Sequence, residues 1–510
     1  MALGEIVPTT CGPVQGLQHD GVTVFRGIPY AEAPVGERRF RPPVTRTPWT
    51  EPRVCDHASA VAWQNPSPLE ATLGAAKPPT GDDHLTLNIW TPAIDDGARP
   101  VLFWIHGGAF VTGSGSTPWY DGTRFAAAHD VVVVTINYRL GALGFLHLGD
   151  IAKAAGDTSD DWEGSGNLGI LDQSFALRWV SENIAGFGGD PANITIFGES
   201  AGGMSVGTQL GLPASKGLFR RAIAQSGAAG HVHDRESATR VARRMLEVLG
   251  IADTELHRLQ ELPAADILAA QETVNAERSD IAGAGLPFMP CVDGRVLPVG
   301  PQQAVRDGHA DGVDLLLGTN LHEMTLFTMM DPRLADLDDT ALAKRFTGLF
   351  GDERAAEALD AYRKDRTEAT PADIWNAALG DRVFRVPAIR LADAHQPHAP
   401  TYVYLFSWES TAFDGRLRSC HALEIPFVWD NLDQTGVAFL TGPVDDGMRR
   451  LAATMNEAWA TFARTGNPST AALGDWPAWD ATTRPTMVLD TEPRVELDPS
   501  GHEVDVWTHV

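Results

Sequence analysis

The stretch Asn193–Gly203, NITIFGESAGG, carries an apolar run into a Gly-x-Ser-x-Gly turn and on into a series of small residues. ITIF has the β-branched and aromatic composition of a buried strand, and AGGMSVGTQLGL that of a closely packed helix. A serine at the tip of so tight a turn has its hydroxyl pushed clear of the backbone. Gly198 and Gly202 leave room for strained geometry and for close strand–helix contact. With 50 glycines in 510 residues, the five-residue pattern arises by chance roughly 0.2 times per chain. The strand and helix around it therefore carry the assignment, which makes Ser200 the predicted covalent nucleophile.

Strand-like runs recur between helix-like segments, as in a mostly parallel sheet covered on both faces. The clearest strands are VLFWIH at 101–106, VVVVTIN at 131–137, ITIFGE at 194–199 and DLLLGTN at 314–320. Leu171 to Ala185 reads as a helix packed on the sheet, and Glu236 to Leu249 as an amphipathic helix stopped by Gly250. The predicted fold is α/β: a single α/β-hydrolase domain over 1–510, its large central sheet flanked by helices. Helical insertions at about 230–290 and 330–395 read either as cap and gorge walls or as structural padding.

A serine hydroxyl is a weak nucleophile at neutral pH and needs a base, which in turn needs a carboxylate to orient it. In this fold the order along the chain is Ser, acid, His. Glu323 follows the strand DLLLGTN directly, on the side where open α/β sheets bind ligands. His421, in SCHALEIPFVW after the strand-like TYVYLF, is the predicted base. His322 adjoins the acid, and His231 and His233 precede it, so none of the three suits the role. His106 opens HGGAF, whose Gly107 and Gly108 are predicted to offer bare backbone N–H groups to a developing oxyanion. The N–H of Ala201 would be the third donor.

The formal charge of −26 argues against a nucleic-acid or anionic-membrane partner. The most apolar stretch, Val131 to Ile136, falls far short of the ~20 residues that span a bilayer, so no membrane insertion is expected. Residues 1–18 hold no apolar run long enough for a signal peptide core, and a cytoplasmic location is expected. Cys11, Cys55, Cys291 and Cys420 lie far apart without metal-site spacing and read as reduced, buried thiols. The chemistry calls for no metal and no cofactor.

The chain resembles the type-B carboxylesterase family, which includes bacterial para-nitrobenzyl esterases, from about Gly12 to Asp498. The resemblance rests on FRGIPYAEAPVGERRFRPP, LTLNIWTP, PVLFWIHGGAF, VVVVTINYRLGALGFL, GNLGILDQSFALRWVSENIAGFGGDPANITIFGESAGG, LLLGTNLHE and CHALEIPFVW. It implies a triad of Ser200, Glu323 and His421 and an oxyanion hole of Gly107, Gly108 and Ala201, with Glu199 and Ser226 in supporting positions. It also implies hydrolysis of carboxylic esters through an acyl-enzyme; the expected substrates are small-molecule esters of short to medium acyl chain with alkyl or aryl alcohols. Where many members carry a cysteine before LTLN this chain has His84, and Trp63 occupies the place of that cysteine's partner. The family's N-terminal disulfide is therefore absent, which leaves the loop 64–81 unstapled. Phe288, Met324, Phe327, Met329 and Trp119 are the candidate pocket walls. The competing readings are a non-catalytic binding or adhesion protein on the same fold, and an amidase or carbamate hydrolase.

Overall fold

Seven neighbouring strands, all parallel, form the centre of the molecule, and every residue of several of them is buried. The computed structural model describes residues 2–67, 79–277 and 285–508. Among these the strands are β1 Ala2–Val7, β2 Val14–His19, β3 Val22–Pro29, β4 Arg53–Val54, β5 Thr86–Thr91, β6 Arg99–Ile105 and β7 Val132–Ile136. They continue with β8 Gly189–Glu199, β9 Arg221–Gln225, β10 Asp314–Asn320, β11 Thr401–Phe406, β12 Pro485–Leu489 and β13 Arg494–Leu497. They build one sheet in the order β1-β2-β3-β5-β7-β6-β8-β9-β10-β11-β12-β13, with β4 beside β2. The run from β7 to β12 is parallel, and β1, β2, β3, β5 and β13 extend it antiparallel at the two ends.

Side chains alternate across each strand, so a sheet covered on both faces needs apolar residues at every position. On β6, Val101, Phe103 and Ile105 enter one apolar layer, while Leu102 and Trp104 enter the other. Trp104 is fully buried, with ring centroids 4.7 Å from Phe197 and 5.3 Å from Trp429. Truncating it to alanine would cost roughly 3–5 kcal/mol.

The helix Leu168–Asn183 packs on the sheet ahead of the β8 strand, but not by apolar contact alone. Its Asp172 is fully buried and accepts from Arg139 Nε at 2.7 Å, Arg139 Nη2 at 2.6 Å and Arg139 N at 3.0 Å. That fork ties the chain leaving β7 to the helix. Both charges were hidden in apolar stretches of the sequence.

The two insertions are mainly helical where described. The first holds the helices Arg235–Leu249 and Ala264–Ala276, the second Asp339–Phe350, Ala355–Lys364, Pro371–Gly380 and Val386–His395. Arg235–Leu249 begins under an Asp234 cap that accepts from Ser237 N at 2.7 Å and ends at Gly250 with φ 63°. Residues 68–78 of the 64–81 loop lie outside the described residues. Its base is closed by backbone bonds between Val61 and both Pro79 and Gly81, each 3.0 Å, rather than by a disulfide. Trp63 donates to Asp82 at 2.7 Å, and His84 Nδ1 lies 2.8 Å from Gly81 O. All four cysteines are free and buried. No helix among the described residues is long and apolar enough to cross a membrane.

Candidate active site

The C-terminal ends of β6, β8, β10 and β11 open onto one cavity of about 550 Å³, where Gly107, Gly108, Glu199, Ser200 and His421 meet. Ser200 sits between β8 and the helix Ala201–Leu210 with φ 55° and ψ −124°, a conformation that L-residues adopt only under constraint. The constraint is packing. A methyl group on Gly202 would collide with Ile105 O, and one on Gly198 would stand 2.6 Å from the same oxygen. Only glycine lets the turn, the helix and β6 come this close. Ser200 N donates to Gln225 O at 2.9 Å, which fastens the turn to β9.

Glu323 lies just past β10 and is 2% exposed. Its Oε1 accepts from Ser226 Oγ at 2.6 Å and from Asn320 N at 2.8 Å, which leaves Oε2 to meet His421 Nδ1 at 2.6 Å. An ionised carboxylate only accepts, so Nδ1 carries the proton and Nε2 faces the other way. There Glu199 Oε1 lies 3.1 Å off, within ion-pair range but without hydrogen-bond alignment.

Four acid–base groups thus crowd a buried site. Burial pushes the Glu199 carboxyl up to about 8, with His421 opposing and Glu424 and Glu323 adding. Burial pushes His421 down, but Glu199 and Glu323 outweigh it and hold the imidazole at about 9. The fourth group, Glu424, was not singled out from the sequence. It is fully buried, accepts from Asn320 Nδ2 at 2.7 Å and Gln225 Nε2 at 3.1 Å, and is raised by burial and by Glu323. The available signal was a lone charge inside the apolar run ALEIPFVW.

Gly107 and Gly108 line the cavity in the loop after β6. A Cβ on Gly107 would stand 3.2 Å from Ser200 Cβ, so this loop lies directly against the serine; Gly108 has φ 110°. His106 is held within the loop: its Nδ1 is 2.8 Å from Gly107 O, and its ring stacks on Tyr138 at 4.5 Å. Ala201 is fully buried and heads its helix, where the first N–H groups have no intrahelical acceptor.

Of the five candidate wall residues, Trp119 and Phe327 line the cavity. Phe288 does not; it is fully buried in the apolar layer. Met324 and Met329 also fall outside the lining, since they flank the short helix Thr325–Thr328 and pack against the two apolar layers instead. The 230–290 insertion contributes Gln271, Glu272 and Asn275 to the wall. The 330–395 insertion supplies none of the described residues that line this cavity. It carries Phe384, on the π-helical turn Asp381–Arg385, whose ring centroid is 4.7 Å from that of His421.

What the sheet presents at its C-terminal edge defines the class, an α/β-hydrolase. Within that class the chain belongs to the Carboxylesterase family, which it matches over residues 4–507, and it is a carboxylic ester hydrolase. It is similar to the para-nitrobenzyl esterase of Bacillus subtilis, at 39% identity over 98% of this chain and 97% of that protein. It is 36% identical to the phenmedipham hydrolase of Pseudarthrobacter oxydans over 96% of each chain. A crystal structure of the Geobacillus stearothermophilus carboxylesterase matches with TM-score 0.87 and 43% identity, covering 99% of this chain and 100% of that one.

Proposed function

We propose that Ser200 is the nucleophile of this esterase, His421 its base and Glu323 the acid that orients the base. The observation that carries this reading is the shared cavity. Ser200, on its strained turn, lines that cavity together with His421, whose Nδ1 is bonded to Glu323 at 2.6 Å. His421 takes the Ser200 proton as the hydroxyl attacks an ester carbonyl, and Glu323 stabilises the imidazolium. The N–H groups of Gly107, Gly108 and Ala201 face the oxygen on which charge develops. Loss of the alcohol leaves an acyl-enzyme, which water cleaves with His421 again as base. Glu199 and Ser226 support this arrangement, the first by its carboxyl group beside Nε2 and the second by its bond to Glu323.

The substrates we propose are small-molecule esters of short to medium acyl chain. Trp119, Leu326, Phe327, Ile425 and Leu440 supply an apolar wall, and about 550 Å³ has room for such a molecule. We read residues 1–510 as one domain whose 230–290 insertion forms part of the cavity wall. Four free, buried thiols and the hydrogen-bonded His84 and Trp63 support a reducing, cytoplasmic setting. The family and its named hydrolases favour turnover over a non-catalytic binding role.

The test is hydrolysis of p-nitrophenyl acetate, butyrate and octanoate by wild type and Ser200→Ala. Loss of several orders of magnitude in the variant is expected, with octanoate no faster than butyrate. A Ser200→Ala protein that retains wild-type rates would overturn the assignment, and matched anilides would show whether amides are also cleaved.

A further inference from the structure

Gln271, on the helix Ala264–Ala276, lines the active-site cavity yet is only 2% exposed. Its side chain is held by one end. Oε1 accepts from Ala142 N at 2.8 Å, and since a backbone N–H can only donate, that contact identifies the oxygen of the amide. The anchor is tight, because a methyl group on neighbouring Gly141 would collide with the Gln271 amide. Gly141 N in turn donates to Phe110 O at 2.7 Å, which joins the anchor to the segment that follows Gly107 and Gly108.

An amide is planar, so fixing Oε1 also fixes the direction of Nε2. Among the described residues Nε2 has no hydrogen-bond partner, nor is it one of the enclosed polar atoms that lack one. It therefore opens on the cavity that Gln271 lines. A nearly buried NH2 with both donors unspent loses free energy unless an acceptor reaches it. Asn275 lines the same cavity one helical turn on and adds a second amide to its lining.

We propose that Gln271 Nε2 donates a hydrogen bond to an acceptor oxygen that the substrate carries beyond its scissile ester. The site then favours esters whose acyl or alcohol part bears an ether or carbonyl oxygen over alkyl esters of the same shape. The inference rests on Ser200 being the nucleophile in this cavity. Loss of p-nitrophenyl butyrate turnover in Ser200→Ala tests that reading separately.

The experiment compares two isosteric pairs, p-nitrophenyl methoxyacetate with butyrate for the acyl side and 2-methoxyethyl with butyl acetate for the alcohol side. It uses wild type, Gln271→Glu and Gln271→Met. Glutamate keeps an oxygen for Ala142 N but turns an acceptor to the cavity, and methionine removes the donor at similar volume. In one pair the wild-type ether-to-alkyl ratio of kcat/KM should exceed the ratio for hydroxide hydrolysis. In both variants that ratio should fall about fivefold, as loss of one neutral hydrogen bond implies. The responding pair names the side of the substrate that is read. A wild-type ratio no greater than that of hydroxide in either pair, or variant ratios within about twofold of wild type in both, would overturn the proposal.

Discussion

Nε2 of His421 lies 3.1 Å from Oε1 of Glu199, the residue next to the proposed nucleophile. The imidazole is thus held between two buried carboxylates, with Glu323 on its Nδ1 side at 2.6 Å. The two carboxylates are what raise His421 to about 9 against the opposing effect of burial. A base must be unprotonated to accept the serine proton, so the rate falls as pH drops through the value of the imidazole. Replacing Glu199 by glutamine removes one source of that elevation. The acid limb of kcat/KM should then move to lower pH, by about one unit, and a pH–rate profile of Glu199→Gln checks it. A limb that stays in place, or moves up, would mean that Glu199 does not act on His421.

Ser226 donates to the Glu323 oxygen that His421 does not use, at 2.6 Å. Ser226→Ala leaves Asn320 N as the remaining donor to that oxygen. Bonds to charged groups contribute roughly 1.5–3 kcal/mol. Since the effect reaches the substrate only through the orientation of His421, kcat should drop about tenfold while KM moves by less than about threefold. Steady-state kinetics on p-nitrophenyl butyrate would show the split. A change confined to KM would place Ser226 in substrate binding instead.

A methyl group on Gly202 would collide with the carbonyl oxygen of Ile105 on β6. Gly202→Ala must push the helix Ala201–Leu210 away from the sheet and carry Ser200 with it. A cost of roughly 1–3 kcal/mol in stability is expected from overpacking. Displacement of the serine by about an ångström should cost turnover about a hundredfold. Thermal melting and kinetics of the same sample separate the two effects, and near-wild-type turnover would show that the turn tolerates the shift.

Asp172 and Arg139 are buried, at 0% and 2% exposure, and face each other through two bonds between side chains. Asp172→Ala strands the guanidinium in the core, a loss of roughly 3–5 kcal/mol. Urea unfolding should show a lower midpoint with little change in slope. A variant as stable as wild type would show that the guanidinium finds another partner or water.

Much of the candidate site was legible in the chain because its backbone requirements are local. The turn at Ser200 needs glycines at 198 and 202, the loop after β6 needs bare backbone at Gly107 and Gly108, and parallel strands end in loops on one edge. Those requirements are written into neighbouring residues, and so were the strands DLLLGTN and TYVYLF, which are β10 and β11 residue for residue. The cavity walls were not legible in the same way. Phe288, Met324 and Met329 are as apolar as Trp119 and Phe327, and only the packing of distant elements decides which of them face the cavity. Glu424, Asp172 and Gln271 escaped notice for the same reason. Each takes its role from a partner far away in sequence: Gln225, Arg139 and Ala142 lie 199, 33 and 129 residues away. A buried polar group is set by what meets it across the core, and that meeting exists only once the chain has folded.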